Sequence, residues 1–128
     1  MTELTITVSR PCAALRSNGG HGNRWAVAAA RRDAREEAGF ITVATKNKLG
    51  FVVPPICAVL VEYTEVLGPK QRAMDDDNLI GAMKPYRDGI ALALGINDKR
   101  MKVRPCGPVE RGAQGGVRVR VWCEVGGE

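Results

Sequence analysis

Aromatic side chains are scarce in this chain: two Phe, two Tyr and two Trp among 128 residues. A core of stacked rings is therefore excluded, and the interior must come from Val, Ile, Leu, Ala and Met. Histidine is represented by His21 alone, and none of the four cysteines, Cys12, Cys57, Cys106 and Cys123, falls in a CxxC pair. A zinc site, which gathers nitrogen and sulfur ligands at short spacing, is hard to assemble from that set. Cys57 and Cys123 sit in apolar runs and read as small buried hydrophobes. Long apolar runs are missing too: none approaches the ~20 residues that span a bilayer. Residues 2–9 alternate apolar and polar, unlike the apolar block of a signal peptide. The expectation is a cytoplasmic chain in a reducing compartment, without membrane association.

What is present describes an ordinary folded protein. Apolar residues make up 45% and charged residues 26%, a balance that supports one domain over residues 1–128 and not a disordered chain. The net charge of +5 is a modest basic excess. Such an excess suits a partner rich in phosphate, because each cation placed on a nucleic-acid backbone releases a counterion.

Periodicity then orders the elements. Leu4, Ile6 and Val8 alternate with polar residues as in a strand that ends before Pro11. Residues 17–23 form an Asn/Gly-rich loop, with Asn23 as cap of a helix over 24–38 and Gly39 as its stop. Residues 40–55 fit a strand or irregular chain. Residues 56–63 favour a strand, and residues 65–74 a loop carrying Lys70 and Arg72. Leu79, Met83, Tyr86, Ile90 and Leu94 then mark one apolar stripe of a second helix over 77–94, closed by Gly95. Pro85 lies inside it, so either the helix kinks there or its regular part starts near Lys84. A turn at Asn97-Asp98, a short strand over 101–104, a polar loop over 106–116 and a strand over 117–123 follow. The fold class is α+β: a small mixed sheet packed with two main helices.

The segment Asp75-Asp76-Asp77-Asn78-Leu79 stands out. Consecutive carboxylates repel one another unless a cation neutralises them, and hard cations such as Mg2+ take oxygen ligands. In extended chain Asp75 and Asp77 share a face and Asp76 points elsewhere. Along the helix Asp77, Gly81, Lys84 and Asp88 share a stripe, so Lys84 is positioned to meet phosphate, with Asp88 holding it. The same residues also suit plain capping, since acids favour the positive end of a helix dipole.

Asp75-Asp76-Asp77-Asn78-Leu79, Lys84, Asp88-Gly89-Ile90 and Asn97-Asp98 together resemble the motif of RusA-type Holliday junction resolvases. The interval from Leu79 to Lys84 is longer than in the shortest members. The likeness covers residues 56–125 well and the first 55 loosely. It implies a homodimeric endonuclease that resolves four-way DNA junctions by paired symmetric nicks, using Mg2+ or, as a substitute, Mn2+. It places the metal-binding catalytic aspartates at Asp75, Asp77 and Asp98 and the assisting lysine at Lys84. Candidate DNA contacts are Lys70, Arg72, Lys99, Arg100 and Lys102, with Arg24 and Arg31 weaker and His21 a binding candidate in its loop. The alternatives are a non-catalytic branched-DNA-binding protein of the same fold and a structural protein whose acids only cap a helix.

Overall fold

The computed structural model describes residues 3–16 and 24–124. β1 spans Glu3–Val8, with Leu4, Ile6 and Val8 buried and Thr5 and Thr7 exposed, as an alternating strand requires. α1 spans Arg24–Leu49, β2 Ala58–Leu67, α2 Asp76–Ala82 and α3 Lys84–Leu94. β3 (Met101–Val103), β4 (Glu110–Arg111) and β5 (Gly116–Glu124) complete the order, and 3-10 turns lie at Ala13–Leu15 and Asp98–Arg100. The architecture is α+β with a mixed sheet, and the described residues hold three helices. The loop expected at 17–23, with Asn23 and His21, lies outside the described residues.

The sheet runs β1-β5-β2-β3, with β4 also on β2. β5 is antiparallel to both neighbours, whereas β3 and β4 run parallel to β2 along its other edge. The register pairs Leu4 with Val121, Ile6 with Val119, Val61 with Val121 and Tyr63 with Val119, so these side chains share one face. Against them pack Ala34 and Ala38 of α1 and Met83, Tyr86 and Ile90 around α3, in one hydrophobic core. On the opposite face Arg118 pairs with Glu110 at 2.7 Å and Arg120 with Glu3 at 2.8 Å, and the Arg120 guanidinium lies 4.3 Å over the Trp122 ring. The hydrogen bond from Arg120 holds the Glu3 carboxyl below its usual range. These pairs are exposed, so they contribute little.

The helices depart from the sequence reading in two places. α1 does not stop at Gly39 but continues to Leu49, taking residues 40–49 that the pattern left as strand or irregular. Gly39 lies against the Gly89 backbone of α3, so it marks a crossing of helices and not an end. The stop is Gly50, whose φ of +69° is left-handed. The Phe51 N–H then donates to the Lys46 carbonyl at 3.0 Å, the hydrogen bond that closes such a turn. The second helix is divided. α2 ends at Ala82 and α3 starts at Lys84, which puts Pro85 in a first turn where its missing N–H costs nothing. Leu79, Met83, Tyr86 and Ile90 are all buried, so the apolar stripe survives the break. Gly95 closes α3 with φ +71°.

β2 begins two residues later than its pattern and runs on to Leu67, because β4 and β5 offer ladder partners to Val66. Cys57 and Cys123 are half-buried, not buried. No helix among the described residues is long and apolar enough to cross a membrane.

Gly89 is a point of close backbone approach between α1 and α3. A Cβ there would overlap the Arg35 carbonyl oxygen and lie 3.0 Å from its carbon. Gly81 of α2, by contrast, has nothing within 4 Å of a Cβ. Gly89→Ala is expected to destabilise by about 2 kcal/mol through overpacking. Gly81→Ala is expected to stabilise by up to about 1 kcal/mol through helix propensity. Thermal unfolding of the two variants should therefore move Tm in opposite directions.

Candidate functional site

The acidic segment is fastened from below by a residue that faces the core. Glu65 follows Val59, Val61 and Tyr63 at alternate positions of β2 and pairs with Val117, so parity turns it inward, where it is 1% exposed. Arg10, just past β1, donates from Nη1 to Glu65 Oε2 at 2.7 Å and from Nη2 to the Arg72 carbonyl at 2.9 Å. The Met74 N–H donates to Glu65 Oε1 at 2.9 Å. A buried carboxylate is tolerable only when paired and hydrogen-bonded, and here both oxygens are engaged. The chain entering Asp75 is thereby tied to β1 and β2. The sequence offers one signal for this, the parity of residues 59, 61, 63 and 65, although Glu65 falls in the stretch whose composition favours a loop.

Asp75 is the N-cap residue of α2, extended at φ −61° and ψ 150°, and its side chain makes no capping hydrogen bond. Asp76 and Asp77 already belong to the first helical turn. The extended-chain parity that would aim Asp75 and Asp77 to one side therefore stops at Asp75. All three aspartates are exposed. The capping explanation is realised only through the helix dipole, with Asp76 and Asp77 in the first turn. Asp76 acts on Cys106: burial first, then the charges of Asp76, Glu65 and Glu62, push that thiol up to about 11.

Lys84 is the meeting point of the remaining residues. Its Nζ lies 3.4 Å from Asp88 Oδ1, one turn along α3, and 3.8 Å from Asp98 Oδ2. Asp98 reaches this position because the chain doubles back after Gly95, and the Asn97 side chain accepts from the Lys99 N–H at 2.9 Å to set the turn. Asp88 and Asp98 also line one shallow hollow of about 330 Å³ with Leu92 and Asn97. Beneath the same helix, Arg87 Nη1 donates to the Tyr63 hydroxyl at 3.2 Å, tying α3 to β2. Burial raises the Tyr63 phenol, and the adjoining Arg87 opposes that rise.

The structure thus brings together Lys84, Asp88 and Asp98, and among the described residues no side-chain hydrogen bond or ion pair joins Asp75 or Asp77 to them. No three His, Cys, Asp or Glu side chains among the described residues form a metal-binding group. The donor chemistry of Asp75, Asp77 and Asp98 suits a hard cation, which takes carboxylate oxygens and often only one or two of them alongside substrate phosphate. Their convergence on one ion is not a feature of this arrangement.

The cations expected at DNA fall into two sets. Lys70, at φ +66°, and Arg72 are exposed ahead of Asp75. Lys99 and Lys102 are exposed after Asp98. Arg100 is occupied: its Nη2 donates to the Pro54 carbonyl at 2.9 Å and to the Cys57 carbonyl at 3.2 Å, clamping the entry to β2. Arg24 is exposed at the start of α1. Arg31 instead faces Lys84 across a cleft between α1 and α3 that the pattern did not reveal.

No protein-family model matches the chain. A stretch of 37 residues, 29% of the chain, is 54% identical to part of an uncharacterized protein of Xylella fastidiosa (strain Temecula1 / ATCC 700964). The match spans about a quarter of that curated relative, 24% of its length.

Removing one member of the buried Arg10–Glu65 pair leaves the other charge uncompensated. Glu65→Ala is expected to cost about 3 kcal/mol, read as a lower midpoint in urea denaturation. An unchanged midpoint would show that the pair does not hold the segment before Asp75.

Proposed function

We propose that this chain is a metal-dependent endonuclease that nicks branched DNA, four-way junctions above all, as a homodimer using Mg2+ or Mn2+. The observation that carries this reading is the meeting of Lys84 and Asp98 within 3.8 Å from opposite ends of α3. Two parts of the motif that are remote in sequence are thereby neighbours in space, on an exposed surface. The uncapped carboxylate of Asp75 adds support, because a residue kept only as a cap would spend its oxygen on the helix.

Each residue then has a task. Asp75, Asp77 and Asp98 are the carboxylates that would offer oxygen to a divalent ion, one or two of them beside substrate phosphate, and the bound ion would supply Lewis acidity for attack of water on the phosphodiester. Lys84 meets a phosphate oxygen and offsets charge as the 3′ oxygen departs. Asp88, one turn on, holds the ammonium in place. Water attack with a 3′ leaving group yields a 5′ phosphate and a 3′ hydroxyl, ends that a ligase can rejoin. A two-fold dimer presents two such sites to opposite strands of the junction.

A second reading keeps the DNA and drops the chemistry: a non-catalytic branched-DNA-binding protein. It is favoured by the lack of a three-carboxylate group among the described residues. An end-labelled four-way junction incubated with and without Mg2+ separates the two. The nuclease reading expects Mg2+-dependent nicks that Asp75→Asn and Asp77→Asn abolish while junction binding persists. Lys84→Met should slow nicking by about 10²-fold. Binding without nicking at any Mg2+ or Mn2+ concentration would replace the first reading by the second, and failure to bind would sink both.

A further inference from the structure

The side of α3 facing α1 carries a second feature. Arg35 and Gly39 meet Gly89, and Lys46 Nζ donates to the Ala93 carbonyl at 2.7 Å, so the two helices run in the same direction. Before their closest approach they diverge around a cleft of about 450 Å³. One wall carries Arg31 and Arg35 of α1, the other Gly81, Lys84 and Asp88, and Arg16 completes the lining. Four cations thus face one carboxylate, and that carboxylate is held by Lys84.

Lys84 is paired with Asp88 and Asp98, but the three arginines are not neutralised among the described residues. Arg16, Arg31 and Arg35 form no ion pair among the described residues, whereas Arg32, on the outer side of α1, pairs with Asp33. The Arg16 Nε is buried and has no hydrogen-bond partner among the described residues. Arg31 and Arg35 are exposed and Arg16 is half-buried, so the cleft offers guanidinium donors to an anion that enters it. Arg31 and Arg35 stand one helical turn apart, about 6 Å along the axis, a separation suited to successive phosphates of one strand.

We propose that this cleft is the phosphate track of a DNA strand, in which Arg16, Arg31 and Arg35 hold the backbone and lead it to Lys84. The inference rests on the nucleic-acid reading above and adds Arg16 and Arg35, which that reading did not use. Among the described residues the lining includes neither an aromatic ring on which a base could stack nor an Asn or Gln to read a base edge. It therefore suits a phosphodiester backbone better than a free nucleotide, and contacts made there are independent of base sequence.

The test is fluorescence anisotropy of a labelled four-way junction in EDTA, where binding is read without cleavage. Arg31→Ala with Arg35→Ala is expected to weaken binding at least tenfold. It should also flatten the dependence of log affinity on log salt by about 0.9 for each phosphate no longer neutralised. Gly81→Glu, which adds a carboxylate where nothing lies within 4 Å of the new Cβ, should fold normally and show the same loss. Arg32→Ala should bind as the unaltered chain does. Equal losses for Arg32→Ala and the double variant would overturn the track in favour of diffuse charge. So would unchanged binding of the double variant, or tighter binding of deoxynucleoside monophosphate than of the strand. If the unaltered chain binds through these arginines yet never nicks with Mg2+, the nuclease reading fails and the track stands. If the double variant binds and nicks normally, the reverse holds.

Discussion

The contact on which the rest of the molecule depends is the backbone approach of α3 to α1 at Gly89. A hydrogen in place of a side chain there lets the Arg35 carbonyl sit against the α3 backbone, which draws the two helices closer than ordinary side chains permit. Ala34 and Ala38 are buried beside this point, and their small size continues the close packing. One consequence is geometric. With the helices pinned at Gly89 and again through Lys46 and Ala93, their earlier turns splay, and the polar side chains of both line the opening. The cationic cleft is thus a by-product of where the glycine falls.

A second constraint works from the sheet. Glu65 occupies a core position of β2, and its charge is met by Arg10 and by the Met74 N–H. An isolated carboxylate at that depth would be costly, so both partners must hold their places for the strand to remain inward-facing. The acidic segment is consequently anchored immediately before the residues that carry the proposed chemistry. The edge formed by β3 and β4, parallel to β2, completes the arrangement by bringing the chain back past Asp98.

The electrostatic layout is asymmetric. Aspartates at the start of α2 are exposed and unpaired with basic side chains among the described residues, whereas Asp88 and Asp98 share one ammonium. Among the described residues arginine is unneutralised in the cleft and neutralised on the open face of the sheet, where Glu3 and Glu110 pair with Arg120 and Arg118. This difference in pairing is what the proposed phosphate track draws on.

Local pattern accounted for much of the fold. The alternation in residues 4–8 and 117–123 and the stripe from Leu79 to Ile90 rest on neighbours a few positions apart, and each is present. Gly95 likewise ends its helix. Gly39 and Gly50 show where such reasoning stops. Both are glycine in a helical context, yet one is a packing contact and the other a left-handed cap. The difference lies in α3, which residue 39 meets at residue 89, far along the chain. Lys84 and Asp88 were legible as a stripe because helical spacing alone makes them neighbours. The neighbourhood of Lys84 and Asp98, the inward Glu65 with its Arg10 partner and the convergence of Arg16, Arg31 and Arg35 all required the packed molecule. Residue order dictates which side chains share a strand face or helix face, because those periods are properties of the backbone. Which faces confront each other, and so which charges are left without a partner, is set only when the elements close on a common core.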